Sequence, residues 1–266
     1  MNRIDEAFKN KPIFMPYFPV GYPDLETSID VLEALAKNGA DLIELGLSFS
    51  DPLADGPVIQ RATQTALEKG VTVSKCLAAV SELRKRGVTI PLVLMGYYNP
   101  ILAYGLKRFV AEARKVGADG FIIPDLPPEE AGEFEVLLEG TGGHPALPLI
   151  RMLAPTTPAE RMESVARGAQ GFVYLVSVTG VTGARQSVAD GLAELINRVR
   201  AHTSVPVCVG FGIGTPEQAR AVGAMADGVI VGSACVRTIG ESATPVEAAR
   251  LFARSFSDAL GERQAQ

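Results

Sequence analysis

Two carboxylates eleven residues apart, Glu44 and Asp55, have surroundings that suit acid–base chemistry. Glu44 interrupts the apolar part of the stretch LIELGLSFSDPLADGP (residues 42–57), and Asp55 lies in the loop that follows. Burial penalises the charged form of a carboxyl. A glutamic acid among apolar neighbours therefore suits a group that donates a proton and takes one back. A loop carboxylate is expected to stay ionised and to stabilise positive charge. Two carboxyls in unlike environments divide acid and charge-stabilising roles in this way. Membership of a structural ion pair is the competing account of Glu44.

The elements that must position these groups show in the hydrophobic pattern. Short continuous apolar runs, among them IFMPYFPV, DLIELGL, IPLVLMGY, GFVYLVSV and GVIVGSA, alternate with stretches of helical period. Continuous rather than alternating runs suit strands buried on both faces. In residues 24–38, Leu25, Ile29, Leu32 and Leu35 share one helix face, with Asp24 as cap and Gly39 as stop. TPAE (157–160), TPEQ (215–218) and TPVE (244–247) read as helix starts, with Thr capping, Pro at the first helical position and Glu or Gln reaching back. About eight strand-then-helix units in a chain near the usual barrel length of about 250 residues predict an α/β fold, a (β/α)8 TIM barrel. The prediction is a single domain over residues 1–266, with an extra N-terminal helix over residues 3–10 covering the barrel bottom. A doubly wound open sheet would carry G-x-G-x-x-G after its first strand, and PVGYPD stands there instead.

In such a barrel, chemistry sits at the C-terminal strand ends and the loops beyond them. The candidates there are Tyr17, Glu44, Asp51, Asp55, Asp125, Tyr174, Ser177, Thr179 and Ser233. No lysine falls among them, which argues against a Schiff-base mechanism. His144 and His202 precede strands, and without a histidine cluster no metal site is expected. GFGIG (210–214) and GSA (232–234) follow the seventh and eighth strands, the usual barrel position for a phosphate group. Glycines there let backbone N–H groups approach an anion, and a helix N-terminus adds favourable charge. TGVTGAR (179–185), after the sixth strand, adds donors or forms a lid. Tight turns are the plainer reading of the same glycines.

Composition narrows the function classes. Apolar residues make up 47%, charged residues 21%, and the net charge is −5. An acidic balance gives no reason to expect nucleic acid or an anionic membrane as partner. No apolar run approaches the roughly 20 residues that cross a bilayer, and the first residues lack a signal-peptide core, so a cytoplasmic location is expected. Cys76, Cys208 and Cys235 have no metal or redox spacing.

The strings IELGLSFSDPLADGPVIQ, FIIPDLPPEE, YLVSVTGVTGAR, VCVGFGIGTPEQ and VIVGSA together resemble the tryptophan synthase alpha subunit, from about Arg3 to the last helix. The resemblance implies a lyase that cleaves indole-3-glycerol phosphate to indole and glyceraldehyde-3-phosphate by a retro-aldol reaction in L-tryptophan biosynthesis. It implies no cofactor in this chain. The implied partner is a beta subunit carrying pyridoxal phosphate, in an alpha2beta2 heterotetramer. By the family pattern Glu44 is the acid/base, Asp55 accepts the indole N–H, and Tyr174 positions substrate or Glu44. Tyr17 lies beside the indole, Gly183, Gly212, Gly232 and Ser233 bind phosphate, and Thr182 closes onto Asp55. Ser48 departs from the family's usual proline, which puts the stiffness of the following loop in question. Arg151, a charge within an apolar run, is expected to be a structural ion-pair member or a strand-end residue. The alternative function is a free-standing indole-glycerol-phosphate lyase not coupled to a beta subunit. A non-catalytic activating barrel would be expected to lack Glu44 or Asp55, and a sugar-phosphate isomerase has no reason to carry SDPLADGP.

Overall fold

Eight of the apolar runs form strands: β1 Ile13–Pro19, β2 Ile43–Gly46, β3 Leu92–Met95, β4 Gly120–Ile122, β5 Leu149–Leu153, β6 Val173–Val176, β7 Val207–Gly210 and β8 Gly228–Val231. The computed structural model describes residues 2–140, 145–177, 185–210 and 212–261, with backbone alone at 185–190. The strands pair in chain order and close into a barrel, β8 against β1. Every pairing is parallel, and helices connect successive strands on the outside. The predicted (β/α)8 barrel is the observed fold.

Strand side chains alternate between two apolar layers. Phe14, Phe18, Ile43 and Leu45 point outward into the layer between strands and helices. Ile13, Met15, Leu42, Val93, Phe172 and Cys208 fill the barrel interior. Both faces of each strand are thus covered, which is why the runs read as continuous. Glu44 shares the parity of Leu42 and so faces inward.

The N-terminal helix is shorter than predicted, Arg3–Ala7 rather than residues 3–10. Asn2 and Asp5 form its capping box. The chain leaves the helix at Phe8 because Ile13 must already enter β1. Ile4 and Phe8 seal the bottom of the interior, Phe8 packing on Phe172 with ring centroids 5.8 Å apart.

Helix Leu25–Lys37 starts where predicted, with Asp24 accepting the Thr27 N–H at 2.9 Å. Of the three Thr-Pro starts, Thr215 forms the expected capping box with Gln218. Helix Pro245–Gly261 begins at its proline, also as predicted. Thr157 does not cap: its hydroxyl accepts the Ala154 N–H at 3.0 Å in the turn after β5, and helix Ala159–Arg167 starts after Pro158.

Candidate active site

Glu44 lies in β2 with Tyr17 of β1 directly beside it in register. It is 1% exposed, and among the described residues neither carboxylate oxygen has a hydrogen-bond partner. Burial pushes its carboxyl up to about 8. At neutral pH it is therefore mostly protonated, the state a proton donor needs. Among the described residues no cation pairs with it, which leaves the structural ion-pair account of Glu44 without support.

Two tyrosines frame this group. Tyr17 and Tyr174, on β1 and β6, are both buried, and burial raises both phenols well above their ordinary range. Their rings occupy space that two glycines leave open. A Cβ at Gly46 would collide with the Tyr17 hydroxyl, and one at Gly210 with that of Tyr174. Gly210, read from sequence as part of a phosphate loop, instead makes room for an aromatic ring inside the barrel.

Asp55 reaches the same space from the loop after β2. Burial raises its carboxyl to about 6, against the lowering effect of a hydrogen bond from Tyr97. Asp55 is ionised at neutral pH, as expected, but it is more buried than its loop position suggests. Tyr97, at the end of β3, is 5% exposed, and its oxygen also accepts the Ala54 N–H at 2.9 Å. One phenol thus fixes two consecutive loop residues. Sequence reading missed Tyr97, although it closes the third apolar run, IPLVLMGY, at the functional end of the barrel. Tyr97→Phe is expected to lower kcat by about tenfold through loss of one charged hydrogen bond. Because that bond lowers the Asp55 titration, the acidic limb of the pH–rate profile moves upward. An unmoved limb would deny the contact a role.

Glu44, Asp55, Tyr17 and Tyr174 line one cavity of about 340 Å³ at the C-terminal mouth of the barrel. Gly212, Gly232 and Ser233, from the loops after β7 and β8, line it too. Gly212 has φ +75°, and Ser233 opens helix Ser233–Gly240, so backbone N–H groups and a helix N-terminus meet there. An apolar lining that holds carboxyls from β2 and the loop after it, and a glycine-rich helix start from another part of the barrel, suits an aromatic ligand carrying an anionic tail. Thr179, Thr182 and Gly183 lie outside the described residues, as does His144.

Comparison with known proteins gives this geometry its context. The family model described as tryptophan synthase alpha chain matches residues 5–259. The chain belongs to the tryptophan synthase alpha chain family. It is 52% identical over 241 residues to the tryptophan synthase alpha chain of Chloroflexus aggregans, covering 89% of each chain. It superposes on the crystal structure of tryptophan synthase subunit alpha from Legionella pneumophila with a TM-score of 0.88 at 37% identity, covering 98% of this chain and 99% of that one. A Mycobacterium tuberculosis tryptophan synthase structure gives 0.87 at 38% identity, with 97% and 98% covered. The alpha-chain reaction is the lyase cleavage of indole-3-glycerol phosphate to indole and glyceraldehyde-3-phosphate, a step of tryptophan biosynthesis.

Other sequence candidates fall away from the alpha-chain cavity. Asp125 accepts the Tyr98 N–H at 2.9 Å and lines a separate pocket beside Arg151. Asp51 is exposed and bonds to the Ser50 hydroxyl. The Ser177 N–H donates to Gly210 at 2.9 Å. Arg151 points outward from β5 and pairs with Glu135, the structural ion pair anticipated for it. His202 lies in the turn before β7, the stability side. All three cysteines are buried. Among the described residues, no cluster of metal-ligand type occurs and no helix is long and apolar enough to cross a membrane.

Proposed function

We propose that Glu44 is the acid and base of the alpha reaction and Asp55 its electrostatic partner. The observation that carries this reading is the buried, unpartnered carboxyl of Glu44 in the cavity that Asp55 also lines. Glu44 gives its proton to C3 of the indole ring, leaving an indolenine cation. Asp55 accepts the ring N–H and stabilises that cation. The Glu44 carboxylate then takes the proton of the glycerol hydroxyl next to the ring. As the aldehyde C=O forms, the C–C bond breaks and its electron pair returns to the ring. Indole leaves, and Glu44 is protonated again, so each turnover restores the starting state. Tyr17 flanks the indole, Tyr174 positions it against Glu44, and Gly212, Gly232 and Ser233 hold the phosphate. Gly183 and Thr182 take the phosphate-binding and loop-closing roles that the family pattern gives them.

In this proposal the chain acts as one barrel domain, in the cytoplasm, with a pyridoxal-phosphate beta subunit in an alpha2beta2 assembly. Leu53, on the loop between Glu44 and Asp55, is 91% exposed. A single exposed apolar side chain is ordinary on its own, but it leaves this loop free to meet a partner. The test is indole release from indole-3-glycerol phosphate by the purified chain, with and without such a beta subunit. Slow release that the partner accelerates is expected. Fast release indifferent to the partner would identify a free-standing lyase instead.

Ser48 bears on this coupling. Its hydroxyl is buried without a partner, and its backbone N–H faces the Cys76 thiol. Proline would remove both groups and fix one backbone angle at the root of the loop. Ser48→Pro is expected to change activation by the beta subunit several-fold while basal cleavage changes less than about twofold, a backbone effect of under 1 kcal/mol. Equal changes in both rates would sink the idea.

A further inference from the structure

We propose that Arg237 is the counter-charge for the substrate's phosphate and sets the preference of the cavity for a phosphorylated ligand. The inference rests on the phosphate-binding reading given above and adds a residue to it. Among the described residues lining the cavity, Glu44 and Asp55 are the acids and Arg237 is the one cation. A dianionic phosphate must therefore approach a mouth that already holds two carboxyls. Backbone N–H groups and a helix terminus offer partial charges, whereas a guanidinium offers a full charge and two parallel donors.

Placement supports the assignment. Arg237 stands four residues after Ser233 in helix Ser233–Gly240, on the same helix face. Helical side chains lean toward the N-terminus, so the guanidinium is directed back over the turn whose N–H groups end at Gly232 and Ser233. Arg237 is exposed, and among the described residues its guanidinium makes no ion pair or hydrogen bond. Arg84, Arg86, Arg151 and Arg161 are all paired with carboxylates. An arginine left without such a partner at a cavity rim is available to an anion from solution.

Its exposed place, against the buried Glu44 carboxyl, matters as well. Burial alone accounts for the raised Glu44 carboxyl, and Tyr97 is the group that lowers Asp55. Arg237 thus draws the phosphate without drawing the proton off Glu44. It acts on binding and leaves the acid intact.

The test compares wild type, Arg237→Gln and Arg237→Lys in the full chain. Turnover of indole-3-glycerol phosphate is measured alongside calorimetric binding of glycerol 3-phosphate and of indole. Arg237→Gln is expected to raise KM about tenfold, the effect of losing one charged hydrogen bond at a partly screened site, with kcat within about twofold. Glycerol 3-phosphate affinity should fall to the same degree, indole affinity should hold, and the salt dependence of KM should flatten. Arg237→Lys should recover part of the loss, since it restores the charge but not the two parallel donors. Unchanged KM and unchanged glycerol 3-phosphate affinity in Arg237→Gln would overturn the proposal, as would a fall in kcat at constant KM. Wild type that binds glycerol 3-phosphate but releases no indole would overturn the functional reading instead, and the calorimetry would still decide Arg237.

Discussion

Glu44→Gln is expected to abolish indole release, with a loss on the order of 10⁴-fold in kcat, while glycerol 3-phosphate binds with wild-type affinity. One group both donates and removes a proton in the proposed cycle, and a positioned acid or base contributes about 10²–10⁴ in rate. Glutamine keeps the shape and removes the transferable proton. The variant should fold, because the wild-type carboxyl is already mostly uncharged at neutral pH. The folded state holds the Glu44 proton up to about 8, whereas the unfolded chain gives it up near the ordinary 4.5. Stability from this group is full below the unfolded value and is lost as pH rises through the folded one. Glutamine removes that slope, so the variant should melt no lower than wild type at alkaline pH. Turnover like wild type in Glu44→Gln would overturn the assignment.

Asp55→Asn should cost about a hundredfold or more in kcat, the scale of removing a preorganised electrostatic contact. Its amide carbonyl still accepts the indole N–H, so KM should change little. What is lost is the negative charge that stabilises the indolenine cation. A matching rise in KM with kcat intact would mean that Asp55 serves substrate binding alone. Loop geometry should survive in part, because the Tyr97 hydroxyl still holds the Ala54 N–H.

Much of this site was legible in the sequence. The eight apolar runs map onto eight strands because every strand is covered on both faces. The inward direction of Glu44 follows from the period of two that it shares with Leu42. Other features depend on contacts between segments far apart in the chain, which local pattern does not encode. Tyr97 meets Ala54 and Asp55 only because β2 and β3 are neighbours in the barrel. Gly46 and Gly210 answer to tyrosines on adjacent strands rather than to turns. The ion pair of Arg151 required knowing that Glu135 packs outside β5. Thr157 had a second use for its hydroxyl within the turn after β5, so a valid capping pattern was overridden locally. Arg237 reads in sequence as an ordinary charge on a helix, and its place at the cavity rim appears only once the barrel closes.

The central claim is that a protonated Glu44 and an ionised Asp55 act together. The pH dependence of kcat/KM for indole release tests it most directly, since that ratio reports the titration of the free enzyme's essential groups. A bell is predicted, rising through about 6 as Asp55 ionises and falling through about 8 as Glu44 loses its proton. Residual activity in Asp55→Asn should lack the lower limb. Activity that instead increases through about 8 would require an ionised Glu44 at the start of the reaction and would contradict the account.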